Sequence, residues 1–333
     1  MQGNEEKKHN IRGHKILLAS VLCLFGFCLL AQKPVQNKQS RPQQEDKGQA
    51  PKKQQAKSKV YLIHSDMLRK DSRHPDAQVV TGNVVFRHDS VYMYCDSAYY
   101  YDKLGSFEAF SNVKMNQGDT LFLYGDRLYY DGNTQIAEVR NNVRMENRNT
   151  TLLTDSLNYD RLYNLGYFFD GGTLMDEQNV LTSEWGEYNP STKQSVFNYN
   201  VKLVNPQFTL TSDTLEYNTQ SKVAEIVGPS DILSDNNHIY SEQGTYNTAT
   251  GKAALYQRSI ITNDAKQLTG DTLFYDRNTG VGEAFSHMEM RDTINKNMMT
   301  GEYGYYNEKT KYAFATNKAV AIDYSQGDSL FLH

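Results

Sequence analysis

From Asp96 to Tyr306 the apolar and polar positions repeat at intervals of 29 to 31 residues. Each copy centres on an acidic residue followed four positions later by a tyrosine: Asp96/Tyr100, Asp126/Tyr130, Asp155/Tyr159, Glu184/Tyr188, Asp213/Tyr217, Glu242/Tyr246, Asp271/Tyr275 and Glu302/Tyr306. Three positions before the anchor the side chain is always apolar: Met93, Leu123, Leu152, Leu181, Leu210, Ile239, Leu268 and Met299. The residue just before the anchor is always small, and after the tyrosine comes Asp or Asn in seven copies, with Tyr101 the exception. A fixed period of this kind marks stacked copies of one unit, none able to bury its apolar side alone.

Apolar residues at every second position, with abundant Tyr, Val, Phe and Thr, predict β-strands. The Asp/Asn opens turns such as Asp131-Gly132-Asn133-Thr134 and Asp276-Arg277-Asn278-Thr279-Gly280, where short polar side chains and glycine accept turn dihedrals. A second strand follows in each unit, ending in pairs such as Val113/Met115 and Val143/Met145. Eight units of two strands predict about sixteen strands and an all-β fold with no helix after the N-terminal segment. Parity adds a further inference. In a straight strand, positions three before and two after the anchor face opposite sides, yet both are apolar. The strand is therefore expected to bend at the anchor, with the carboxylate capping the bend. A ladder of carboxylates holding calcium is the alternative, without the Gly-rich nonapeptide signature such sites carry.

The N-terminal segment changes the picture of where the chain works. Lys7, Lys8, Arg12 and Lys15 precede an apolar run from Ile16 to Leu30, the layout of a secretory signal over residues 1–31. Its length, about 15 residues, falls short of a spanning helix; an uncleaved inner-membrane anchor is the alternative. Residues 32–59 read as a disordered, basic tether rich in Gln, Lys and Pro, leaving 60–333 as the repeat domain. That domain carries a formal charge of about −12 against −4 for the whole chain, which argues against nucleic acid. With the signal removed only Cys95 remains, so no intramolecular disulfide is expected.

Catalytic chemistry is hard to place. Gly327-Asp328-Ser329-Leu330 spells an esterase-like tetrapeptide but stands in register with Gly270-Asp271-Thr272-Leu273, so the repeat accounts for it. The histidines are scattered, with no HExxH or CxxC, and no metal or cofactor is expected. The tyrosine ladder is the more suggestive feature. Inward tyrosines in register are core rings, but their hydroxyls want partners, which an interior opening along one side would supply as readily as buried polar groups. Candidate groove-lining residues are Tyr130, Tyr159, Tyr188, Tyr217, Tyr246 and Tyr275 with Leu123, Leu152, Leu181, Leu210, Ile239 and Leu268.

The unit resembles the OstA-like family, the periplasmic lipopolysaccharide-transport proteins of the LptA type. The resemblance rests on Gly82-Asn83-Val84-Val85-Phe86, echoed at Ser111-Asn112-Val113 and Asn141-Asn142-Val143, joined to Gly125-Asp126-Arg127-Leu128-Tyr129-Tyr130-Asp131. It spans roughly residues 60 to 333. It implies an open, V-shaped β-jellyroll of antiparallel strands whose apolar trough carries the acyl chains of lipopolysaccharide or a related glycolipid. It also implies partners, namely other OstA-like transport components docked through edge strands, or a second copy joined end to end. The ninth unit, barely begun at Asp328–His333, reads as a truncation. A sealed β-solenoid stalk and a carbohydrate-active β-helix enzyme are the readings from other classes.

Overall fold

The computed structural model describes residues 59–234 and 237–332, and in these every regular element is a strand. The signal expected over residues 1–31 and all of the tether expected over 32–59 except Lys59 lie outside the described residues. Fourteen unbroken strands run between His74 and Asn307, from His74–His88 to Asn297–Asn307. Two more are interrupted: Leu165–Phe168 continues as Gly172–Asp176, and Asn179–Ser183 continues as Trp185–Tyr188. The expected sixteen strands are therefore present. Split strands flank them at Tyr61–His64 with Met67–Asp71 and at Tyr312–Thr316 with Val320–Asp323, and Leu330–Leu332 adds a short last one. Each strand pairs antiparallel with the next, so the pairing is a meander from end to end.

Every long strand bends where the acidic anchor lies. In Leu121–Asp131 the buried positions are Leu121, Leu123 and Gly125, then Leu128 and Tyr130, so the alternation changes phase across exposed Asp126 and Arg127. The pairing slips at the same place, between Phe110 and Val113 on the preceding strand and between Arg140 and Arg144 on the following one. There the neighbouring strands carry residues in the left-handed region: Ser111 and Asn112, Asn141 and Asn142, Tyr199 and Asn200, Gln257 and Arg258, Ser286 and His287. Two residues opposite one, a single extra residue, fix a bulge and a turn of direction.

The small residue before each anchor has two physical reasons. A Cβ on Gly125 would stand 2.4 Å from Val139 Cγ1, so the inside of the corner has no room. Where the residue is Ser, its hydroxyl spans the anchor: Ser183 Oγ donates to Trp185 O at 2.7 Å, Ser212 to Thr214 at 2.7 Å and Ser241 to Gln243 at 2.9 Å. The carboxylates work on the outside of the same corner. Asn112 Nδ2 donates to Asp96 at 2.7 Å, Asn142 Nδ2 to Asp126 at 2.6 Å, and His287 Nδ1 meets Asp271 at 2.6 Å. The bend-capping role read from parity is what the anchors perform.

Because each strand bends, its two halves belong to two facing half-sheets with a shared core. Phe86, paired with Met93 in one half, stacks on Phe107 of the other with ring centroids 4.0 Å apart. The core runs without a break from Val60 to Tyr306. At the turns the Asp/Asn side chains accept backbone N–H groups two and three residues on, as Asn218 does from Gln220 at 3.0 Å and Ser221 at 2.9 Å.

Candidate functional site

The interior between the half-sheets is a ladder with one rung per repeat. Leu123, Leu152, Leu181, Leu210, Ile239 and Leu268 lie in one half, and Tyr130, Tyr159, Tyr188, Tyr217, Tyr246 and Tyr275 in the other. All twelve are buried, at 4 % exposure or less. The structure thus brings every candidate groove residue onto one continuous surface. It also fills the space between them: the trough is closed here by the protein's own side chains, and the phenolic tips do not reach water.

Each hydroxyl has instead found a partner along a polar seam, where the hairpins of one half-sheet meet the turns of the other. His88 Nδ1 and Tyr130 Oη are 2.6 Å apart, with Arg161 donating to the same oxygen. Tyr188 donates to Asn147 Oδ1 at 3.3 Å, and Arg277 Nη1 donates to Tyr246 at 3.0 Å. Asn237 Nδ2 donates to Tyr275 at 2.8 Å. Tyr159 donates to Asn164 Oδ1 at 3.3 Å, an oxygen that also receives Gln117 Nε2 at 2.7 Å. The tightest node is at Tyr217, which donates to Asp176 Oδ2 at 2.7 Å and accepts from Asn179 at 2.9 Å. Lys222 Nζ lies 2.8 Å from both Asp176 oxygens, and Asp176 is 1 % exposed. Burial pushes the Tyr130 phenol up to about 12, against the pull of Arg161, and raises Tyr159, Tyr188, Tyr217, Tyr246 and Tyr275 as well.

The seam partners were not singled out in the sequence, since His88, Asn147, Asp176, Lys193, Lys222 and Arg277 lie outside the anchor phrase. One signal was available: position two or five of the turn is basic in several copies, at Arg161, Lys193, Lys222, Arg277 and Lys311. The interior loosens only toward the last rungs. There Tyr306 is 8 % exposed, Met299 and Ala313 are half-buried, and a cavity of about 160 Å³ opens beside Met290, Met299 and Tyr306.

Among the described residues no group of three His, Cys, Asp or Glu is placed to hold a metal, and no helix is long and apolar enough to cross a membrane. Cys95 is buried, its thiol pushed up to about 12 by desolvation, which leaves it a poor nucleophile. Gly327–Leu330 is exposed, with Gly327 and Asp328 in a bend ahead of the strand Leu330–Leu332 and not inside a long strand as Gly270–Leu273 is.

A family model for OstA-like proteins matches residues 57–213 and 209–271, most of the repeat domain. The chain belongs to the OstA-like family. No curated protein matches it. Among solved structures, LptH, the LptA homologous periplasmic component of the conserved lipopolysaccharide transport device from Pseudomonas aeruginosa, is 12 % identical. That match covers 47 % of this chain and 96 % of LptH, with a TM-score of 0.21, too loose a superposition to carry an argument. The OstA-like repeats of the present chain continue through Tyr306, beyond the matched residues, with the same anchor, corner and rung.

Proposed function

We propose that this OstA-like protein is a non-catalytic periplasmic carrier that shields the acyl chains of lipopolysaccharide or a related glycolipid on their way to the outer membrane. The observation that carries the reading is the ladder itself. It is an apolar surface one rung deep and many rungs long, closed on one side by covalent corners and on the other by side-chain packing, hydrogen bonds and ion pairs. Parting the seam exposes a Leu and a Tyr on every rung to a chain laid along the axis, and each square ångström an acyl chain covers is worth roughly 25 cal/mol. The looser last rungs, around Met299 and Tyr306, are the place for a chain to enter. Exposed strand backbone at the ends of the meander suits docking of other OstA-like components or of a second copy by β-augmentation.

A photo-crosslinking residue at Tyr217 or Leu210 tests this in cells. Both are buried, whereas Glu216 between them is on the outer side. Capture of glycolipid from the two inward positions and not from Glu216 is the expected result; capture only from Glu216 overturns the carrier reading. The closed seam favours a second reading, a sealed structural stalk. In that case a small neutral quencher leaves the ladder tyrosines dark to it whether or not glycolipid is present, while a carrier shows quenching that glycolipid suppresses.

A further inference from the structure

The seam cations differ in their partners. Lys222 is neutralised by Asp176 at 2.8 Å and Glu177 at 3.2 Å. Beside the Tyr159 and Tyr188 rungs the balance differs. A cavity of about 400 Å³ lies between the hairpins and turns there, and Lys193 and Arg148 line it together with Asn147, Asn164, Ser191 and Gln220. No Asp or Glu is among its lining residues. Lys193 donates to the Asn147 carbonyl, whose oxygen also receives the Tyr188 hydroxyl. Burial, together with the positive charge of Arg148, lowers the Lys193 ammonium, as expected where two cations face one space without a counter-charge. Gln117 Oε1, on the same wall, is buried with no hydrogen-bond partner among the described residues.

Lys193 has φ +65° and Arg148 has φ +56°. At the position of Lys193 the equivalent turns carry Gly105, Gly251 and Gly280, and also Gln135, Asn164, Lys222 and Lys311, all at positive φ. The turn sets this conformation in every repeat, and what separates Lys193 from Lys222 is the carboxylate that Lys222 has beside it.

We propose that this pocket binds a phosphorylated sugar, the phosphate between Lys193 and Arg148 and a sugar hydroxyl donating to Gln117. The proposal rests on the carrier reading for the source of the ligand: the phosphosugar is the head group of an amphiphile whose chains lie on the rungs beneath. The pocket sits directly over the Tyr159 and Tyr188 hydroxyls, where such a molecule changes from polar to apolar. Phosphate is a strong acceptor for both cations, and binding would remove the repulsion between them.

The experiment compares three probes on the full chain: monododecyl phosphate, dodecyl maltoside of the same chain length, and glucose 1-phosphate. The variants are Lys193→Gly, Arg148→Gln and the pair. Lys193→Gly relieves the left-handed strain, so its Tm is expected to stay level or rise, and lost binding then cannot be ascribed to unfolding. The wild type is expected to bind monododecyl phosphate at least tenfold more tightly than dodecyl maltoside, and the paired variant to lose that preference while binding the maltoside unchanged. Equal affinity for the two amphiphiles in the wild type, or a preference that survives in the paired variant, overturns the site. If neither amphiphile binds, the carrier reading fails; glucose 1-phosphate bound by the wild type and not by Lys193→Gly still supports a site for a free phosphosugar, and no binding of it removes the site too.

Discussion

Replacing Lys222 by Met tests whether the seam is what keeps the ladder closed. In the native protein Asp176 is 1 % exposed and takes both the Lys222 ammonium and the Tyr217 hydroxyl. Removing one partner of a buried ion pair leaves an uncompensated charge, a loss of about 3–5 kcal/mol. Lys222 is itself 16 % exposed and Tyr217 still donates, so about 2–3 kcal/mol is the reasoned figure after screening. Asp176→Asn keeps the shape and the Tyr217 hydrogen bond and frees Lys222 toward Glu177, for roughly 1 kcal/mol. The double variant has no stranded charge and is expected to be more stable than Lys222→Met alone, a coupling of more than about 1 kcal/mol. Urea unfolding followed at Trp185, which lies in the adjoining repeat, measures the cycle. Hydrogen exchange across Phe208–Asn218 should show the loss centred on that rung, because repeat proteins open locally. In Lys222→Met a neutral quencher should also reach Tyr217 more readily. If Lys222→Met is no less stable than the double variant, the pair is a solvated surface bridge and the latch argument is wrong.

Eight ladder phenols, from Tyr100 to Tyr306, are raised by burial. Their contribution to stability is whole below pH 10 and declines as pH rises toward and through the raised values, by roughly 1.4 kcal/mol per phenol per pH unit. Tyrosinate absorbance should therefore show a late cooperative phase that coincides with loss of β circular dichroism; complete ionisation of the tyrosines with the fold intact refutes the buried ladder. Leu210→Ala, at a site with 0 % exposure, should cost about 2–5 kcal/mol in urea unfolding, and a loss under 1 kcal/mol would mean the rung is loosely packed. At the corner, Asn142 has φ +50° and donates to Asp126. Asn142→Gly should be nearly neutral and Asn142→Val should destabilise by about 1–3 kcal/mol, so equal thermal stability of the two would contradict the bulge geometry.

The repeat made much of this protein legible before any coordinates. Period, strand count, the inward set of Leu and Tyr, the bend at the anchor and the Asx turns all follow from side-chain alternation and local hydrogen bonding, which act within a few residues of one another. The corner was readable because Leu123 and Tyr130 have opposite parity yet the same apolar character. What holds the two half-sheets together was not readable. Tyr217 meets Asp176 across 41 residues and Arg277 meets Gln207 across 70. No local preference relates positions so far apart; only the angle of the corners and the stacking of rungs decide which turn faces which hairpin. The same holds for the closed interior. Alternation says which side chains point inward, and the distance between the half-sheets says whether they meet. Sequence alone thus determined a bent, stacked ladder, and the tertiary structure decided that its open side is fastened by a polar seam.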